Sequence, residues 1–588
     1  MAAWKTGCGA GKPAPASLQY VQGAPLKAII FYAVSLLLPL AGSAFAAPLS
    51  ANASLCSDKF SVDQFAERYG VETLTAVYQA DETYSGRGGA PAALALVPHC
   101  KIDGALDAFT APTGEQFRIR FRLRLPDAWN GRFLFMGGGG SNGRVGASVG
   151  DVGWSGDVAL NRGFAVVSQD SGHSNEQNNS SALGGIYSFG THPETRRNYA
   201  YGSLIKTYDL AQALMAGYYQ RPVDYNYFFG CSKGGQEGLA FAELYPDSFD
   251  GIVAAAPGMS LPKAALNQAW DTQVLAGLAV SQGRDLSPAA IARSLPDSAL
   301  AVVTEAVLVA CDADDGAEDG LLSAYGKCST ARVLSALESR RCESAGGSHC
   351  ISSEQITALV AIVEGSSRYT SFPWDAGFAD AGWRRWKLGS EDSPARNISL
   401  GAASLAAVFS VPPTILPEGA DAKLNWQVDF DFSRDARAIF AADKTFVRSA
   451  WAEMNVRFAD LSAFSAAGKL IVPHGVSDPV FSVNDTVAWW NELDYRYDGK
   501  ANTFVRVFPV PGMGHCRGGP GPHRLNAFDQ LSAWVERDQP PEYLLGETDA
   551  GSRWAGKKIP VCSYPSYARP ASAGDGEYAC SGSYDREK

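Results

Sequence analysis

Gly230-Cys231-Ser232-Lys233-Gly234 constrains this chain more than any other stretch. It follows the apolar run Tyr225-Asn226-Tyr227-Phe228-Phe229 and precedes residues 236–245, which have helical spacing. Glycines on both sides of a serine permit a strained strand-to-helix turn that exposes the hydroxyl at the carboxyl edge of a sheet. Taken alone, the pentapeptide is equally a glycine-rich turn with no further role. Its surroundings carry more weight. Residues 117–125, 131–136, 163–168, 251–256, 469–473 and 503–508 read as strands, and residues 199–219 and 526–535 as helices. Such alternation predicts an α/β fold with a parallel sheet covered by helices on both faces. The alternation lapses between about residues 257 and 456, which hold four cysteines, an acidic cluster and Trp270, Trp374, Trp383, Trp386, Trp426 and Trp451. The expected organisation is therefore one sheet domain, residues 47–257 and 456–588, interrupted by an inserted lid, residues 258–455. The tail from residue 560 reads as irregular chain pinned by Cys562 and Cys580.

A serine at such a turn needs a base and an orienting acid to become a nucleophile, and in an α/β-hydrolase these follow in the order Ser, Asp, His on loops after later strands. Asp478 follows the run 469–473 within His474-Gly475-Val476-Ser477-Asp478, and His515 follows the run 503–508 within Pro511-Gly512-Met513-Gly514-His515. Ser232, Asp478 and His515 are the candidate triad. The chain has only seven histidines, so a correctly placed one has little chance supply. His474 precedes the acid on the same loop, which breaks the order, and reads as a pocket-lining residue. The oxyanion of acyl transfer needs two backbone donors, and the N–H groups of Lys233 and Gly140 are the candidates. The Lys233 side chain reads as solvated. The glycines at 137–140 lack the G-x-G-x-x-G spacing into a helix that a phosphate cradle would show.

Charge and targeting narrow the setting. Fifty Lys and Arg against 61 Asp and Glu give a net charge of -11 with no basic block, which argues against a nucleic-acid partner. Lys5, Lys12 and Lys27 precede an apolar run at residues 28–40 and the small-residue signal Ala44-Phe45-Ala46. This is the pattern of a secretory signal peptide, residues 1–46, and the run is shorter than the ~20 residues of a membrane span. Secretion or a periplasmic location, without stable membrane insertion, is expected. Cys8 lies in that segment and leaves ten cysteines, an even number suited to an oxidising compartment. Local pairing suits Cys56 with Cys100, Cys311 with Cys328, Cys342 with Cys350 and Cys562 with Cys580. Cys231 and Cys516 remain, either as buried thiols or as a pair. One flanks the candidate nucleophile and the other the candidate base, so contact between Ser232 and His515 would bring the sulfurs together. A bond between them would stabilise by at most about 5 kcal/mol.

Residues 311–321 place five carboxylates within eight positions, between Cys311 and Cys328. Like charges this close repel unless a hard cation neutralises them, so a structural calcium ion is expected against the alternative of a solvated acidic loop. The spacing is not that of an EF-hand, since the fifth position is Gly316 and the twelfth Ser323, counted from Asp312.

Four motifs together resemble the tannase and feruloyl esterase family: Gly230-Cys231-Ser232-x-Gly234-Gly235, Cys311-Asp312-x-x-Asp315-Gly316-x-x-Asp319-Gly320, His474-Gly475-x-Ser477-Asp478 and Pro511-Gly512-Met513-x-His515-Cys516. The likeness runs from about Cys56 to Cys580 and is strongest toward the members that cleave mono(2-hydroxyethyl) terephthalate. It implies an α/β-hydrolase fold with a large lid, the Ser232-His515-Asp478 triad and a Cys231–Cys516 disulfide. It also implies calcium held by Asp312, Asp315 and Asp319 with the carbonyls of Ala317 and Leu321, and no organic cofactor. Substrates of the family are small esters of aromatic acids such as gallate, ferulate or terephthalate. Residue-by-residue carry-over places Trp386, Arg396, Ser404, His474 and Phe481 in the substrate pocket, with Arg396 on a free carboxylate. Leu400 stands where the terephthalate-cleaving members carry an aromatic cap, and Gly401 and Gly139 stand where they carry serines. The expected function is secreted serine carboxylesterase action on feruloyl- or tannin-type esters, with terephthalate monoesters as the alternative. A non-catalytic, calcium-stabilised binding protein on the same scaffold is the alternative of another class.

Overall fold

Apolar runs without alternation pair only where both faces of a sheet are covered. Here they form the middle of a nine-stranded mixed sheet. The computed structural model describes residues 51–86, 93–153, 156–342, 349–571 and 577–584. The expected signal segment lies outside them. In chain order the strands are β1 Val71–Gln79, β2 His99–Thr110, β3 Gln116–Pro126, β4 Arg132–Met136, β5 Ala165–Gln169, β6 Tyr225–Cys231, β7 Gly251–Ala255, β8 Lys469–Gly475 and β9 Val505–Val510. Their spatial order is β1-β2-β3-β5-β4-β6-β7-β8-β9, antiparallel from β1 to β5 and parallel from β5 to β9. β1 and β2 escaped the sequence reading because Glu72, Lys101, Asp103, Gly104 and Asp107 break up their apolar residues. Helices α1 Ser203–Tyr219, α2 Lys233–Leu244, α6 Val483–Arg496 and α7 Ala527–Arg537 cover the sheet. Phe135, Phe228, Phe241 and Phe249 interlock beneath α2, with ring centroids 4.7 to 6.4 Å apart.

β7 and β8 are hydrogen-bonded neighbours although more than two hundred residues separate them. The chain between them is helical and has a core of its own. Its long elements are α3 Leu261–Ser281 and α4 Asp297–Cys311, followed by α5 Ala381–Lys387. Leu300, Val303, Leu359 and Leu388 are fully buried among them. Lys387 and Asp271 form an ion pair inside this layer, next to Asn397. Two wide π-helical turns, Asn397–Ala402 and Ser404–Val408, pack against α3.

The tail is not irregular. Strands β10 Ser566–Pro570 and β11 Tyr578–Ser583 form a hairpin, stapled by Cys562–Cys580. It packs on the acidic loop, where Arg569 Nε donates to the Asp315 carbonyl at 3.1 Å and the Tyr578 hydroxyl donates to Asp319. Glycine, proline and serine hid these strands from a periodicity argument, because the hairpin draws its stability from the disulfide and from the loop it clasps.

Candidate active site

β6 ends at Cys231, and Ser232 turns the chain into α2 with φ 66° and ψ -120°, a left-handed backbone that a side chain rarely adopts. The flanking glycines make this turn possible. A Cβ on Gly230 would lie 2.4 Å from the Gly234 carbonyl oxygen, and one on Gly234 would lie 2.6 Å from that of Gly138. The strain aims the Ser232 hydroxyl at His515. Ser232 Oγ donates to His515 Nε2 at 2.8 Å, and His515 Nδ1 donates to Asp478 Oδ2 at 2.7 Å. The three residues thus form one hydrogen-bonded chain. Asp478 is buried, and its other oxygen accepts the backbone N–H groups of Val480 and Phe481 at 2.7 and 3.1 Å. Burial works against the carboxylate, but the neighbouring His515 and His474 outweigh it and hold Asp478 below the usual carboxylate range.

All five expected disulfides form. Cys231–Cys516 ties the serine turn to the histidine loop across 285 residues, with Cα atoms 6.0 Å apart. The backbone N–H groups of Lys233 and Gly140 donate no hydrogen bond among the described residues, so both are available to a developing oxyanion.

Two expectations need correction. The Lys233 side chain is buried rather than solvated, because Glu237 one turn along α2 pairs with it at 2.9 Å and the Tyr199 ring lies 4.6 Å beneath it. His474 does not line the pocket. It is fully buried behind the acid loop, with Nδ1 2.8 Å from Thr486 Oγ1 and Nε2 3.0 Å from the Phe481 carbonyl, 3.5 Å from Asp478.

Two of the other pocket candidates flank His515. Trp386 and Phe481 stand edge-on to its ring at 5.7 and 5.4 Å. The Arg396 guanidinium lies 5.6 Å over Trp386, and Leu400 faces Gly140, where a Cβ would lie 3.8 Å from Leu400 Cδ1. Ser404 is buried in the second π turn.

Sequence reasoning missed two carboxylates that hold the site together. Glu237 is fully buried and accepts the Gly138 N–H, Asn142 Nδ2 and Lys233 Nζ at 2.8 to 2.9 Å, joining α2 to the glycine loop. Its i, i+4 spacing from Lys233 was the available signal. Asp375, from the inserted region, accepts the Ser477 hydroxyl at 2.6 Å and the Gly512 N–H at 2.8 Å. It thereby fastens the loops of Asp478 and His515, and no local pattern marks it.

Asp312, Asp315 and Asp319 are buried in the acidic loop. Their carboxylates accept backbone N–H groups of Gly320, Ala317, Ser323 and Leu321, and among the described residues no three acidic, histidine or cysteine side chains stand grouped as a metal-binding cluster.

The sheet order, the strained serine turn and the hydrogen-bonded serine, histidine and aspartate define an α/β-hydrolase. The chain belongs to the tannase and feruloyl esterase family, whose model matches residues 100–586. It is 36% identical over 525 residues to mono(2-hydroxyethyl) terephthalate hydrolase of Piscinibacter sakaiensis, covering 84% of this chain and 86% of the relative. Feruloyl esterase B from Aspergillus oryzae shares the fold with a TM-score of 0.68 at 20% identity, over 90% of this chain and 99% of that one. Tannin acyl hydrolase from Aspergillus niger does so with a TM-score of 0.64 at 19% identity, over 91% and 95%. The chain is an ester hydrolase of the carboxylesterase type.

Proposed function

We propose that this carboxylesterase works through a serine acyl-enzyme on esters of aromatic acids outside the cytoplasm. The observation that carries the reading is the unbroken chain from Ser232 Oγ through His515 to Asp478. Ser232 Oγ attacks the ester carbonyl while His515 Nε2 takes its proton, and Asp478 holds the imidazole in the tautomer that can accept it. The Lys233 and Gly140 N–H groups receive the oxyanion. His515 returns the proton to the leaving alcohol, and water then releases the acid by the same steps in reverse roles. Trp386 and Phe481 flank His515 and supply the apolar walls an aromatic acid requires. Five disulfides and the apolar segment at residues 28–40 support export.

Feruloyl- or tannin-type esters are the first choice of substrate. Terephthalate monoesters are the second, favoured by the relative from Piscinibacter sakaiensis and by Arg396 over Trp386. Calcium is proposed as a structural ion. Asp312, Asp315 and Asp319 offer buried hard-oxygen donors, and the family resemblance adds the carbonyls of Ala317 and Leu321. The ion would neutralise these charges, and a chelator that lowers Tm, with recovery on adding calcium, is the expected result.

The test of the main reading is release of acid from methyl ferulate, methyl gallate, mono(2-hydroxyethyl) terephthalate and a 4-nitrophenyl ester. Ser232→Ala is expected to lower kcat by about 10^4-fold or more. Turnover that survives this substitution overturns the reading.

A further inference from the structure

A cavity of 780 Å³ opens between the π turns and residues 414–423. Arg396 and Leu400 belong to its wall, and the same two residues pack toward the reacting centre, Arg396 over Trp386 beside His515 and Leu400 against Gly140. The cavity is larger than one aromatic ring needs, and lies in the range that holds a ligand of several units. Ile186, Leu400, Ala403 and Leu416 give part of its wall an apolar lining.

The charge of this cavity is one-sided. Arg385, Arg396 and Lys423 all line it; among the described residues none of them is in a salt bridge, and Lys423 feels the charge of Glu418. Glu418 is the one carboxylate in the wall and leaves the positive charge in excess. Lys423 is half-buried, with Nζ 3.4 Å from the Ser399 carbonyl, a residue of the same wall. Burial and the neighbouring Arg385 both act against the charge on Arg396. Three cations against one carboxylate at a partly apolar cavity favour an anionic ligand.

We propose that this cavity is an outer subsite that takes a carboxylate at the far end of an extended ester substrate, with Arg385 and Lys423 holding the carboxylate beyond the ring that packs on Trp386. This rests on the esterase reading and deepens it. The preferred substrate is then longer than a simple aromatic ester and anionic at its distal end.

The test uses two methyl benzoates that carry the same para arm, ending in a carboxylate or in a carboxamide, together with a non-cleavable amide analogue of the first. In the unmodified protein kcat/KM is expected to favour the carboxylate arm by about tenfold, the worth of one charge-assisted contact. In Arg385→Gln/Lys423→Met that ratio is expected to fall toward one, and calorimetric affinity for the amide analogue to fall by a similar factor. Because the kinetic readout is a ratio within each protein, partial loss of folding does not imitate it. Equal turnover of both arms by the unmodified protein overturns the subsite while leaving the esterase reading intact. Absence of turnover with intact, charge-dependent binding of the analogue overturns the esterase reading and keeps the subsite. Failure of the unmodified protein to bind the analogue overturns the subsite.

Discussion

The turn that carries Ser232 and the wall that carries Arg396 both meet at His515, and they are built by opposite means. The turn is local. Six residues, 230–235, fix it through backbone contacts so close that a single methyl group would collide, and the Cys231–Cys516 bond locks it to the histidine loop. The wall is assembled from α5, two π turns and residues 414–423, which are held by long-range contacts such as Lys387 with Asp271 and Gln427 with the Asn397 carbonyl. A backbone-determined element tolerates little change. A wall of side chains on wide turns can vary its lining while its frame stays in place, which suits a region that selects among esters.

The sharpest way to break this comparison is to add one carbon to each region. Gly234→Ala sets a Cβ 2.6 Å from the Gly138 carbonyl oxygen, and neither backbone can yield without moving the oxyanion loop. A loss of kcat of about 100-fold or more, or failure to fold, is expected from such an overpacked site. Soluble expression and ester turnover measured together would show it, and near-normal activity would mean that the turn is less rigid than described.

Asp375→Asn addresses the seam between the two regions. Asn can still accept from Ser477 and Gly512 through its one amide oxygen, but both bonds lose the carboxylate charge and an NH2 donor replaces the buried Oδ1, which has no partner among the described residues, so the loops of Asp478 and His515 loosen. A fall in kcat of about tenfold with little change in KM is expected. The same variant has a pH signature. Burial raises the Asp375 carboxyl to about 6. A folded pKa above the unfolded one favours the native state as pH falls, so this group adds about 1 kcal/mol of stability between pH 7 and pH 5. The unfolding free energy of the unmodified protein relative to the variant, from urea titrations, should therefore rise by about that amount from pH 7 to pH 5, because the variant lacks the acid-side gain. A constant difference would show that Asp375 does not titrate there.

Leu400→Phe is expected to have the smallest effect. Leu400 is half-buried at the mouth of the wall, with room on its Gly140 side, so a ring can be accommodated. The expected change is a shift of a few-fold in the ratio of kcat/KM between terephthalate and ferulate esters, toward the terephthalate. An effect as large as that of Gly234→Ala would erase the contrast between the regions.

The same contrast explains what was legible in the sequence. The central strands, the serine turn, Asp478 and His515 announce themselves because parallel strands are continuous apolar runs and a strained turn requires glycine. The cysteine pairs were legible because most close short loops and the remaining two flank residues that must meet. Glu237 and Asp375 were not, since a buried carboxylate is positioned by groups far away in sequence: Gly138 and Asn142 for one, Ser477 and Gly512 for the other. His474 misled for a related reason. Its place beside the acid suggested the pocket, whereas α6 folds over it and Thr486 takes its ring nitrogen. The hairpin at the C-terminus was invisible because the acidic loop that it clasps lies more than two hundred and fifty residues earlier.

The most direct test of the central claim is covalent. Treatment with a fluorophosphonate probe followed by peptide mass spectrometry should give one adduct, on Ser232, in the unmodified protein, and almost none in His515→Ala, because the hydroxyl is activated by the histidine that accepts its hydrogen bond. An unlabelled Ser232 in the folded protein, or labelling that does not depend on His515, would contradict the account.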